Sequence, residues 1–146
     1  MSDIMKALVV CSDPDARQSL SRAAGHCRVL PLHSSSVRDA LAILNRERID
    51  VVLCEDYLED GNFRDIIGAV SRRPAKVPII VASRLDDWGQ YLEAMNAGAF
   101  EYVLLPSRQA EVGLDVHIAL RESLRLSSLS RTEQSNHPGM LVEGIK

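Results

Sequence analysis

Short apolar runs in this chain end on side chains that can do chemistry. Cys11, Ser12 and Asp13 follow the run over 6–10, Glu55 and Asp56 follow 51–54, Ser83 follows 77–82, and Leu105-Pro106 closes the run that starts at Tyr102. Cys11 is the most reactive type among them. It precedes a segment with helix-start chemistry, and a helix N-terminus lowers a thiol pKa. That would suit an oxidant sensor or a soft-metal ligand. The alternative is a small buried residue that only fills space, and buried cysteine is common. Cys54 is expected to point into the core without pairing to Cys11, and Cys27 to pack near an edge strand. The cysteines form no CxxC site. His26, His33, His117 and His137 lack metal-ligand spacing. No metal and no cofactor are expected. Asp86-Asp87 opens a helical pattern that carries Trp88 and Tyr91. The acids complement a helix dipole. The aromatics either anchor a partner or, for Trp88, pack on a neighbouring loop. Gly61 belongs to a turn, and no Gly-rich phosphate loop is present.

Such side chains converge only if the elements that carry them lie side by side. Apart from Lys6, the runs over 6–10, 51–54, 77–82 and 102–105 are continuously apolar, as in strands buried on both faces of a parallel sheet. The segment 28–32 is weaker. It contains Pro31, which cannot donate to a ladder, so it reads as an edge strand. Between the strands lie amphipathic segments. One spans 14–24, with Ser12 or Asp13 as cap, Pro14 in the first turn and Gly25 as its end. Others span 37–45, 63–70 and 88–96, the last stopped by Gly98. The longest, 108–126, follows Ser107 and puts Val112, Val116, Ala119, Leu120 and Leu124 on one stripe. This alternation predicts an α/β fold, an open five-stranded parallel sheet with helices on both faces. Ligands of such sheets bind beyond the carboxyl ends of the strands, where the side chains named above stand. From Ser127 a polar stretch without period begins. Residues 1–126 therefore read as one domain and 127–146 as a polar tail or linker.

The chain has 146 residues, which fits one domain. Apolar residues are 46% and charged residues 25%, a balance that excludes wholesale disorder. The net charge of -3 offers no basic field for nucleic acid or a membrane surface. No apolar run is long enough to span a membrane, and no secretory segment opens the chain. A reduced, cytoplasmic protein is expected.

Four segments in order carry a resemblance. Leu8-Val9-Val10-Cys11-Ser12-Asp13-Pro14, the stretch from Asp50 to Gly61, Val77-Pro78-Ile79-Ile80-Val81-Ala82-Ser83, and the stretch from Ala97 to Pro106 resemble the receiver domain of two-component response regulators. The likeness covers roughly residues 5–126. It implies a flavodoxin-like sheet of order 2-1-3-4-5. It also implies a chemistry in which an aspartate after the third strand accepts a phosphoryl group. A divalent ion on acids after the first strand, a lysine after the fifth and a hydroxyl after the fourth assist it. Carried onto this chain, Glu55 holds the phosphoacceptor position, Cys11, Ser12 and Asp13 the acidic pocket, and Ser83, Tyr102 and Leu105 the switch positions. The resemblance further suggests a cis Leu105-Pro106 bond.

The chain departs from that pattern where the chemistry is done. A thiol and a hydroxyl are poor Mg²⁺ ligands. Glutamate is one methylene longer than aspartate, which displaces its oxygen by about 1 Å. Leu105 supplies no charge. One step along a strand turns Asp56 to the other face, so it is a poor substitute. Ser83 and Tyr102 still fit. Glu55 is either a built-in mimic of the phosphorylated state or a solvated remnant. With Leu105 instead of a cation beside it, Glu55→Gln is expected to be neutral or stabilising.

The expected function is a non-enzymatic, atypical receiver. It would act in signal transduction as a phosphorylation-independent protein-interaction module. Its partner would be another signalling protein or a fused effector domain, met through the region from Asp86 to Leu126, or a second copy of the chain; neither nucleic acid nor membrane is expected. One alternative is a receiver still phosphorylated by a sensor kinase or phosphotransfer protein. Another, of a different class, is a thiol-redox or small-ligand-binding flavodoxin-like protein using Cys11.

Overall fold

A computed structural model describes residues 4–105 and 109–135. In chain order the elements are β1 (Lys6–Val10), α1 (Pro14–Gly25), β2 (Leu30–Ser34), α2 (Val37–Arg46), β3 (Val51–Glu55), β4 (Tyr57–Leu58), β5 (Gly61–Asn62), α3 (Phe63–Ser71), β6 (Ile79–Ser83), α4 (Trp88–Ala97), β7 (Glu101–Leu104) and α5 (Gln109–Ser135). Local chemistry sets the helix ends. Asp13 caps α1 by accepting from the Asp15 amide, with Pro14 in the first turn. Ser36 caps α2 in the same way. Asn62 and Asp65 form a reciprocal capping box at the start of α3. Gly98 ends α4 with φ 115°, a left-handed conformation that glycine adopts without Cβ strain.

Five strands form one parallel sheet of order β2-β1-β3-β6-β7. This is the expected 2-1-3-4-5 order once the small antiparallel hairpin β4–β5 is set aside. Side chains alternate through the sheet. Ala7, Val9, Cys11, Val51, Leu53, Ile80 and Ala82 face α1 and α5. Leu8, Val10, Val52, Cys54, Ile79 and Val81 face α2, α3 and α4. All thirteen are almost wholly buried, which explains why these strands read as unbroken apolar runs. The sheet thus has a core on each face.

Pro31 lies in the edge strand β2, as expected. The Leu30 amide donates to the Met5 carbonyl. Alternate nitrogens of β2 therefore face β1, and that of Pro31 faces away, where no ladder bond is lost. β2 starts two residues later than the sequence suggested. Residues 26–28 are used in closing α1: Cys27 and Arg28 amides donate to the Ala24 and Gly25 carbonyls, and Arg28 takes φ 60°.

The structure lengthens the last helix. The stretch expected to end near 126 continues helically to Ser135, because neither glycine nor proline interrupts it before Pro138. Lack of an apolar period did not mean lack of a helix there. Ser107 and the Leu105-Pro106 bond lie outside the described residues. Among the described residues no helix is long and apolar enough to cross a membrane.

Candidate functional site at the carboxyl ends of the strands

β1, β3 and β6 are adjacent and parallel, so the residues after each strand meet at one end of the sheet. Glu55, the last residue of β3, is half-buried. Its Oε1 accepts two hydrogen bonds from Ser12, one from the amide at 2.9 Å and one from the hydroxyl at 3.0 Å. Asp13 divides its carboxylate. One oxygen caps α1, and the other pairs with the guanidinium of Arg84, the first residue after β6. A second guanidinium, from Arg17 on α1, donates to the Cys11 carbonyl at 3.0 Å. The pocket acids are thus held from within the chain.

The remaining positions have partners of their own. Ser83 is fully buried, and its hydroxyl accepts from the Leu85 amide at 2.9 Å. Tyr102 is half-buried, and its hydroxyl donates to the Leu85 carbonyl at 2.9 Å. Burial pushes its phenol pKa up; the hydroxyl of Ser83 works against that, and the carboxylate of Asp56 adds to it. Leu105 is buried in the α1/α5 core together with Cys11 and Ala82. Its amide still donates to the Ser83 carbonyl at 2.7 Å. Asp56 is buried and accepts from the Tyr57 amide at 3.1 Å.

Cys11 follows the space-filling of its two expected readings. Its side chain is fully buried, and its thiol is pushed up to about 11, first by burial and further by the Glu55 and Asp13 carboxylates. These effects exceed any lowering by the nearby helix start, so the thiolate needed for oxidant sensing is suppressed. Cys54 lies on the opposite face of the sheet, also with a raised pKa. Cys27 packs between α1 and α5, its thiol donating to the Gly113 carbonyl at 3.2 Å.

A divalent ion of the kind the fold family implies would need donors from Cys11, Ser12, Asp13 and Glu55. Two of these lack carboxylates, the third is paired with Arg84, and the fourth is bonded to Ser12. These residues do not fit that ion. Among the described residues no group of three or more His, Cys, Asp or Glu could hold a metal.

Arg84, Arg17 and the hairpin β4–β5 were not singled out from sequence. Arg84 had a readable signal, a cation directly after the hydroxyl position Ser83. The hairpin also had one, since Gly61 after Glu59-Asp60 suits the last place of a tight turn. Nothing in the sequence pointed to Arg17.

No protein-family model matches the chain. Curated relatives are similar to it. The response regulator protein PilR of Pseudomonas aeruginosa is 28% identical over 101 residues, covering 69% of this chain and 23% of PilR. The regulatory protein LuxO of Vibrio cholerae is 25% identical over 104 residues, covering 71% of this chain and 23% of LuxO. The chain therefore spans less than a quarter of the length of these relatives. Among solved structures, the signal receiver domain of a LuxO repressor protein from Vibrio parahaemolyticus superposes with TM-score 0.78 at 15% identity, covering 87% of this chain and 97% of that one. The chain thus has the fold of a receiver domain and is similar in sequence to the receiver portions of response regulators.

Proposed function

We propose that this domain is an atypical receiver that acts in cytoplasmic signal transduction as a non-enzymatic interaction module, without phosphorylation. The observation that carries this reading is the double hydrogen bond from Ser12 to Glu55. It engages the carboxylate at the acceptor position with the residue that stands where a metal-binding acid would be needed. The Asp13–Arg84 pair supports the same reading, because it neutralises the remaining acid of that pocket. Glu55 is then a fixed anion rather than a solvated remnant.

The output surface is the region from Asp86 to Leu126. It exposes Trp88, Leu92, Leu104, Leu114 and Ile118, large apolar side chains of the kind found at partner interfaces. The partner is another signalling protein or an effector domain; nucleic acid and membrane are not its ligands.

Intact-mass measurement after incubation with acetyl phosphate and Mg²⁺ tests the first half. The expected result is no phosphoryl adduct, and an adduct on Glu55 or Asp56 would overturn it. The second half is tested by capture of binding proteins with the chain and with Leu114→Ser/Ile118→Ser. Capture should be lost in the variant and indifferent to the phosphodonor in the parent chain.

A further inference from the structure

On the proposed output surface, three aromatic rings and two carboxylates line one cleft of about 280 Å³ at the start of α4. Trp88 is 70% exposed. It does not pack on a neighbouring loop; it stacks on Tyr91 of its own helix, with ring centroids 5.1 Å apart and an interplanar angle of 16°. Tyr91 meets Tyr102 of β7 edge-on, at 5.8 Å and 86°. Asp86 and Asp87 complete the wall, with Leu104 as an apolar floor. Asp87 caps α4 through the Gly89 amide. Among the described residues no basic side chain lines the cleft, and neither acid makes an ion pair. At about 280 Å³ and open to solvent, the cleft lies at the lower edge of the roughly 300–1,000 Å³ of small-molecule sites and has room for a long side chain.

We propose that this cleft receives an arginine side chain presented by the partner protein, a deeper statement that rests on the docking role proposed for the same surface. An arginine satisfies each feature at once. Its planar guanidinium stacks on an aromatic face, where the ring quadrupole attracts a cation. Its forked donors suit carboxylates such as those of Asp86 and Asp87. An acidic or purely apolar occupant would leave these two carboxylates beside a like charge or desolvated without a counterion. The partner is accordingly a protein with a basic, arginine-bearing docking segment.

Trp88 is the only tryptophan of the chain, so its emission reports on the cleft. The test titrates the full chain with a hexa-arginine peptide amide and with a hexa-glutamate peptide at fixed ionic strength. The arginine peptide should change Trp88 emission saturably, and the glutamate peptide should not. Asp86→Asn/Asp87→Asn removes both charges while keeping a helix cap. It should weaken binding about tenfold or more. Asp39→Asn/Glu59→Gln removes two charges elsewhere and should have little effect. Tyr91→Leu, followed by calorimetry, should weaken binding about three- to tenfold with all charges kept. Equal losses in the two charge variants would mean general attraction to an anionic protein and would overturn the proposal. An unchanged affinity in Tyr91→Leu would also overturn it. Peptide binding absent while the Leu114/Ile118 surface still captures a partner would sink this inference alone. Loss of capture as well would sink the docking role beneath it.

Discussion

Glu55 shows how one neighbour reverses an energetic expectation. With only Leu105 in view, the carboxylate lacks a counter-charge, and its neutralisation should cost nothing. Ser12 supplies two donors instead. Glu55→Gln should therefore destabilise the fold by about 1 kcal/mol, below the range for buried bonds to charged groups because Ser12 is exposed. Urea unfolding at neutral pH measures this, and unchanged or increased stability would show that the bonds contribute nothing net. The cysteines offer a second prediction at this scale. Burial raises the pKa of all three thiols, but Cys11 and Cys54 are fully buried while Cys27 is half-buried. An alkylating reagent at neutral pH should modify Cys27 first, and the other two only after unfolding. Mass spectrometry of the native chain decides it; modification of Cys11 at a rate like that of Cys27 would restore the redox reading.

Elements are joined here by caps drawn from distant sequence. Asp60, in the β4–β5 turn, accepts from the Val37 and Arg38 amides at 2.8 and 2.9 Å and so fastens the loop after β3 to the N-terminus of α2. These amides, that of Arg38 first, hold the Asp60 carboxyl below its usual value. A lowered folded-state pKa contributes stability that is present above the unfolded value of about 3.9 and is lost as pH falls through the folded one. The melting temperatures of the parent chain and Asp60→Asn should thus differ near neutrality and converge in acid. A gap that stays constant into acid would exclude the charge as its source. Such a cap explains a limit of sequence reading. Strands and helices were legible because period and local caps are written within a dozen residues, as at Pro14 and Gly98. Asp60 capping a helix 22 residues earlier has no local trace. The helical stretch from 127 to 135 was missed for a different reason: its polar residues do not forbid a helix, they merely fail to signal one.

For the whole molecule, the positions of the site were legible and their pairings were not. Four motifs in register brought Cys11, Asp13, Glu55 and Ser83 to one end of the sheet, as found. That Asp13 would meet Arg84, and Glu55 would meet Ser12, depended on side-chain contacts between segments 71 and 43 residues apart, which no local pattern records. Restoring phosphorylation should accordingly need several changes together. Glu55→Asp alone should remain unlabelled by acetyl phosphate, because metal ligands and cation are still absent. Labelling should require Cys11→Asp, Ser12→Asp and Leu105→Lys in addition. That variant should also be less stable than the parent chain, since it places two charged groups at core positions 11 and 105. Efficient labelling of the single variant, read by intact mass, would show that neither metal ligands nor lysine is needed.

Pro31 carries a consequence for behaviour in concentrated solution. An open sheet can grow by recruiting a strand from another molecule, and the outward amides of an edge strand are the template for such growth. With its nitrogen facing outward and bearing no hydrogen, Pro31 interrupts that template in the middle of β2. Pro31→Val would complete the row of donors without disturbing any bond to β1. The variant should keep the parent chain's circular dichroism yet form fibrils or turbid suspensions sooner on agitation, followed by thioflavin fluorescence and light scattering. Equal lag times for the two proteins would mean that the proline protects nothing and is merely tolerated where it stands.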